Sequence, residues 1–159
     1  MSSKVQAAGI FIINREKKLL VCHPTNHKVD FYSIPKGKVE ENEAMIDAAL
    51  RETWEETNID LATSDSVCSF HVHHLLPVQY KHGKKVLNPF VYIEHICSRM
   101  DWSEIEIKCN SYVDDVRGQF PEMDGYKWVT LDEARTLLHD TQVKCLDIIE
   151  NLINTRYDT

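Results

Sequence analysis

The stretch GKVEENEAMIDAALRETWEETNI, running from Gly37 to Ile59, decides how this chain is read. Within it Glu52, Glu55 and Glu56 stand at i, i+3 and i+4, and on a helix of 3.6 residues per turn those offsets put three carboxylates on one face. Like charges so crowded repel. Protonation, an arginine or a bound cation relieves them, and a hard divalent ion with oxygen ligands, Mg2+ or Mn2+, suits such a donor set. Arg51 precedes Glu55 by four residues and can brace it, with Glu43 two turns earlier accepting from the other side of the guanidinium. The competing reading is an ordinary solvated acidic face.

The full spacing decides between them. Gly37, five residues, Glu43, seven residues, Arg51-Glu52, two residues, Glu55-Glu56, one residue, Asn58 and Ile59 resembles the Nudix box. Six positions with a background of about 5–7% each agree by chance roughly once in 10⁵ chains, so the solvated face is set aside. Two positions depart from the pattern: Asn58 stands where the family has glycine, and Thr53 where it has an aliphatic residue. Asparagine tolerates the left-handed backbone of a helix stop next best after glycine, so Asn58 is expected to cap. Thr53 keeps a β-branched methyl inward, with a hydroxyl able to bond back to the preceding turn.

The resemblance implies an α/β fold, an α-β-α sandwich around a mixed β-sheet. It also implies metal-assisted attack of water on phosphorus in a diphosphate linkage. Carried over by position, Glu55 and Glu56 are the main metal ligands, Glu52 is a further ligand or the general base, and the Gly37 carbonyl is another ligand. Arg51 joins this catalytic group as its brace. Glu122, in Phe120-Pro121-Glu122-Met123-Asp124-Gly125, lies where relatives place an additional acidic ligand, and Asp124 competes for that role. Lys36 and Lys38 flank Gly37 and are the expected contacts for substrate phosphates.

The remaining sequence frames the box. Its 159 residues, 43% hydrophobic and 27% charged, suit one compact domain spanning 1–159. The net charge of −7 argues against a nonspecific grip on polyanions. Basic residues nevertheless cluster before the box and at Lys81, Lys84 and Lys85, an arrangement suited to a phosphorylated ligand. Five scattered cysteines without a CxxC pair read as reduced thiols of a cytoplasmic protein, and neither a signal peptide nor a membrane-spanning run is expected.

Apolar, β-branched runs at Val5 to Asn14 and Lys18 to His23 predict a hairpin, with Ile10 to Ile13 buried on both faces. A short strand is expected at Phe31 to Ile34, then a turn at Pro35 and Gly37. The box helix is expected from an Asn42 N-cap to about Thr57, with Ile46, Ala49, Leu50 and Thr53 on its core side. Two long strands are expected at Ser66 to Tyr80 and Lys84 to Cys97, and a short one at Lys127 to Val129. Helices follow near Leu131 to His139, opened by Thr130 and Glu133 as a capping box, and near Gln142 to Asn154. His71, His73 and His74 raise a zinc reading that no third ligand spacing supports. Among Phe31, Tyr32, Tyr80, Phe90 and Tyr92 most rings are expected in the core, with some able to stack on a base.

The string Ile34 to Glu40 is similar to two Nudix subclasses, dinucleoside polyphosphate hydrolases and enzymes acting on the 5′ end of RNA. The acidic bulk favours the first, a small phosphorylated nucleotide substrate; the RNA 5′ end is the alternative, with Lys81 to Lys85 as its contact. A noncatalytic nucleotide-binding module is a third class, against which the intact glutamates weigh.

Overall fold

The computed structural model describes residues 4–61, 72–94 and 102–156. The long run of β-branched residues at the start forms β1 (Val5–Ile13), which turns at Asn14 into β2 (Leu19–Pro24). The Asn14 carboxamide oxygen accepts from the N–H groups of Glu16 and Lys18, at 3.0 and 2.9 Å, and Lys17 adopts a φ of 63°. That side-chain turn is what the charged Asn14 to Lys17 stretch encodes.

β1 is the centre of the sheet. It pairs in parallel with β6 (Lys85–Ile93) along its whole length, from Val5 against Lys85 to Ile13 against Ile93. Its other edge is shared: β3 (Lys36–Lys38) pairs with Ala7 to Gly9, and β2 joins at Ile13. β4 (Val72–His74) and β5 (Val78–Gln79) add antiparallel to β6, while β9 (Met123–Val129) adds antiparallel to β2. The sheet is therefore mixed. A separate hairpin, β7 (Tyr112–Asp115) with β8 (Gly118–Pro121), stands off it.

Alternation along β1 divides the core into two layers. Ile10 and Ile12 face α1 (Met45–Thr57), packing with Ala48, Ala49, Ile59, Leu61 and Trp102. Phe11 and Ile13 face the opposite layer, where α2 (Leu131–Leu137), α3 (Asp140–Val143) and α4 (Leu146–Arg156) lie and Ala134, Leu146, Ile149 and Ile153 close the core. Ile10 to Ile13 have no exposed surface, as a strand covered on both faces requires. The α-β-α sandwich follows from these two apolar stripes.

Several elements depart from the sequence reading. The strand expected at Phe31 to Ile34 reduces to single bridges, because its backbone bonds elsewhere: Tyr32 N–H to the Leu137 carbonyl and Ile34 N–H to the Gln142 side chain. Pairing resumes two residues later as β3, where a turn was expected. Gly9 permits it, since a Cβ there would lie 2.7 Å from Lys36 Cβ and from the Pro35 carbonyl oxygen. Asn42 is not the N-cap. It sits in a turn with φ 64°, and Ala44 holds the cap position without a side-chain bond. Glu43 is the cause: its carboxylate accepts from the Glu40 N–H at 3.0 Å while held by Arg51, which fixes the turn ahead of the helix.

The long strand expected to end at Tyr80 is broken between β4 and β5, at a stretch containing the N–H-less Pro77; its start, from Ser66 to His71, lies outside the described residues. Cys68, Cys97 and the end of the strand expected to reach Cys97 also lie outside them. The second late helix divides at Lys144 and Cys145. Thr130 forms the expected capping box, its hydroxyl accepting from the Glu133 N–H at 3.1 Å. No helix among the described residues is long and apolar enough to cross a membrane.

Candidate active site

α1 brings the box side chains to the edge of the sheet beside β3. Its far end stops as the sequence indicates: Asn58 takes φ 68° and ψ 5°, and its N–H closes on the Trp54 carbonyl. Thr53, fully buried, donates its hydroxyl to the Ala49 carbonyl at 2.8 Å, so the polar atom is satisfied and its methyl can pack.

Arg51 organises the acidic face. Its Nε donates to Glu43 at 2.8 Å and its Nη1 to Glu52 at 2.8 Å, with Glu55 at a longer 3.4 Å. Its Nη2 donates to Glu43 and to the Lys38 carbonyl oxygen. The brace expected on Glu55 thus falls mainly on Glu43 and Glu52. The guanidinium beside Glu43 holds that carboxyl down at about 2.

Glu56 lies deepest, 1% exposed, with Glu52 at 9%. Burial, followed by the neighbouring Glu52, pushes Glu56 well above the usual carboxylate range. Burial likewise raises Glu52, and the neighbouring Glu56 carboxyl opposes that rise. Glu56 Oε2 accepts from the Lys36 N–H at 3.2 Å, whereas Oε1 is buried without a partner. A buried anionic oxygen left unpaired is costly unless a proton or cation meets it.

Gly37 faces this pair. A Cβ built on Gly37 would fall inside the Glu52 carboxylate, so the glycine leaves the room in which that carboxylate sits. Glu122, between β8 and β9, is half-buried; burial raises its carboxyl, and the charge of Glu55 raises it further. The structure therefore places Glu122 electrically within reach of the box. Asp124 is directed elsewhere, onto His23 Nδ1 at 2.5 Å, and does not compete.

A cleft of about 570 Å³ opens from Glu56 and Glu122 between β3, the loop after β2 and the β7–β8 hairpin. Lys36 lines it; Lys38 does not and is exposed. Along its wall, Lys85 sits 4.9 Å from the centroid of the Tyr80 ring, and the exposed Arg117 lies 5.3 Å from that of Phe120 while ion-paired to Asp115 at 2.9 Å. His27 stacks on Phe31 at the rim. Of the rings singled out in the sequence, Phe31 and Tyr80 line the cleft, while Phe90 and Tyr92 are core. Lys81 is turned away to Asp140 at 3.2 Å. Arg117 and Phe120 carry no sequence periodicity that marks them; they reach the cleft only through the hairpin.

The donor chemistry fits a hard divalent ion: oxygen ligands, a buried unpaired carboxylate oxygen and a glycine that lets a second carboxylate approach. Among the described residues, however, no three His, Cys, Asp or Glu side chains are drawn together as a closed ion-holding group. Arg51 and a raised Glu56 carboxyl relieve the crowding instead. His73 and His74 belong to no such group, and His71 lies outside the described residues.

The central sheet, its two helical layers and the acidic box helix define a Nudix architecture, and the NUDIX domain family model matches residues 3–148. The chain belongs to the Nudix family and is a hydrolase acting on pyrophosphate bonds. It is similar to the RNA pyrophosphohydrolase of Pelagibacter ubique, 24% identical over 83% of this chain and 80% of that protein. It is 27% identical to the RNA pyrophosphohydrolase of Bartonella henselae, over 84% of this chain and 80% of that one. Its fold matches a MutT protein from Methanosarcina mazei Go1, with a TM-score of 0.64 and 17% identity over 98% of each chain. It also matches a C. elegans Ap4A hydrolase binary complex, with a TM-score of 0.62 and 18% identity over 94% of this chain and 98% of that one.

Proposed function

We propose that this chain is a divalent-metal-dependent pyrophosphohydrolase that removes pyrophosphate from the 5′ end of RNA. The observation that carries the reading is the cleft itself, in which the carboxylates Glu56 and Glu122 stand at one end and the cations Lys36, Lys85 and Arg117 face the same space. Likeness over four-fifths of two RNA pyrophosphohydrolases supports RNA ahead of the dinucleoside polyphosphates that the sequence favoured. Acidic bulk charge does not weigh against this substrate, because the cations that line the cleft are gathered locally.

Glu55, Glu56 and Glu122, with the Gly37 carbonyl, would hold the metal, which leaves Glu52 for the proton. Bound there, Mg2+ or Mn2+ supplies charge neutralisation at phosphate and activation of water. Lys36 and Lys85 hold the phosphate chain, and Arg117 with Phe120 forms a planar platform at the cleft wall. Water oxygen bonds to phosphorus, the bridging P–O bond breaks, and the proton from water passes to a box carboxylate. Glu52 suits that role, since Arg51 holds its orientation. Arg51 itself positions and does not touch substrate.

Two ring stations on the cleft, His27 with Phe31 and Tyr80 with His139, also suit a substrate with two bases, which keeps dinucleoside polyphosphates as the second reading. Steady-state turnover with Mg2+ on a 5′-triphosphorylated RNA oligonucleotide and on diadenosine tetraphosphate separates the two. The proposal expects the larger kcat/KM on RNA, with pyrophosphate released. A kcat/KM a hundredfold larger on diadenosine tetraphosphate replaces it, and tight binding of both without turnover favours a noncatalytic module.

A further inference from the structure

The last turn of a helix leaves four carbonyls without intrahelical donors. In α1 all four are met from outside or by the stop, and mostly by one irregular segment. Trp54 O accepts from the Asn58 N–H at 2.9 Å and from Asn110 Nδ2 at 3.0 Å. Glu55 O accepts from the Asn110 N–H at 2.6 Å, and Thr57 O from the Lys108 N–H at 3.2 Å. Glu56 O accepts from the Tyr126 hydroxyl at 2.5 Å.

Asn58 does more than stop the helix. Its Oδ1 accepts from Asn110 Nδ2 at 3.0 Å and its Nδ2 donates to the Glu106 carbonyl at 3.1 Å. Glycine, the residue the box has here in the pattern it resembles, has no side chain to make either bond. One residue beyond Asn110, the Ser111 carbonyl accepts from the N–H of Glu122 at 3.1 Å. Ile105 and Ile107 anchor the segment on the α1-side core.

We propose that Asn110, held by Asn58, is a positioning residue that sets Glu122 in register with Glu55 and Glu56. Its carboxamide and N–H grip the carbonyls of Trp54 and Glu55, and the next residue grips the backbone of Glu122. The bridge therefore ties the outlying carboxylate to the box through a few bonds, in addition to the hold from the sheet side, where the Glu122 carbonyl accepts from the Thr25 N–H at 2.9 Å and Met123 pairs with Pro24. The inference rests on the reading that Glu122 acts with the box glutamates.

The test compares Asn110→Ala, Asn58→Gly and Glu122→Gln with Ile153→Val, a core change in the opposite layer that reports what lost stability alone does. Asn110→Ala is expected to lower kcat at least twentyfold with KM within threefold, and to weaken Mn2+ binding measured by calorimetry about tenfold. Amide hydrogen exchange at Glu122 should accelerate at least tenfold in protein without added metal. Asn58→Gly relieves a left-handed φ while deleting both side-chain bonds, so it should melt within about 3 °C of the parent yet lose kcat five- to tenfold. The bridge is overturned if Asn110→Ala keeps Glu122 exchange and Mn2+ affinity within twofold, or if its kcat follows Tm as in Ile153→Val. A parent-like kcat in Glu122→Gln overturns instead the site reading beneath it.

Discussion

Replacing Gly37 by alanine separates the chemistry of the site from the stability of the fold. The new methyl would occupy the position of the Glu52 carboxylate, so Glu52 has to swing away. The obstacle is the end of a flexible side chain, and the surrounding backbone can stay. Glu52 would give up its 2.8 Å bond to Arg51, a charge-assisted contact worth about 1.5–3 kcal/mol. Arg51 retains both bonds to Glu43 and the Lys38 carbonyl. Against the loss stand about 0.5–1 kcal/mol from removing a glycine from a strand, and rehydration of a carboxylate that burial disfavours. The net change is about 1 kcal/mol either way, or roughly 2–4 °C in Tm. Activity should respond far more, since displacing a catalytic group by an ångström costs on the order of a hundredfold. Thermal unfolding and Mg2+-dependent turnover of Gly37→Ala measure both quantities. A kcat within threefold of the parent refutes the role given to Glu52, and a Tm loss above about 10 °C refutes the claim that its carboxylate is free to move.

Glu56 has a pH signature. Its folded carboxyl lies above the ordinary value of 4.5, so the folded state binds more protons; the stability it contributes is full below about 4.5 and is lost as pH rises through the raised value. In EDTA, parent Tm should therefore fall between pH 5 and 9 more steeply than that of Glu56→Gln, and equal slopes argue against a proton held there. Lys85→Ala should raise KM about tenfold, equivalent to about 1.4 kcal/mol, with a smaller effect on kcat and a weaker salt dependence of KM; an unchanged KM removes Lys85 from the phosphate path. Thr130→Ala breaks the capping box and should cost about 1 kcal/mol in urea unfolding while leaving turnover intact.

What the sequence made legible was whatever depends on local period or local chemistry. The offsets of Glu52, Glu55 and Glu56, the alternation of Ile10 to Ile13, the Thr130 box and the left-handed stop at Asn58 all act within a few residues, and the structure contains each. The entry to α1 was misread because Asn42 is a good cap by type, whereas Glu43 and Arg51, eight residues apart, hold a turn in its place. The interrupted strand near Pro77 and the displaced pairing at Lys36 to Lys38 depend on what lies across the sheet. Arg117 and Phe120 enter the cleft on a hairpin without a strong apolar pattern, and Lys38 was grouped with Lys36 although only Lys36 lines the cleft. The segment from Ile105 to Ser111 has neither period nor motif. Its importance lies in bonds to residues about fifty positions away, which no local pattern displays.

Turnover of a 5′-triphosphorylated RNA oligonucleotide with Mg2+ by the parent and by Glu55→Gln, with both products quantified, tests the role of the box carboxylates most directly. The parent is expected to yield 5′-monophosphorylated RNA and pyrophosphate, and the variant to show a kcat at least a hundredfold lower at a Tm within a few degrees. Turnover by Glu55→Gln within threefold of the parent would contradict the assignment of the box carboxylates to the chemistry.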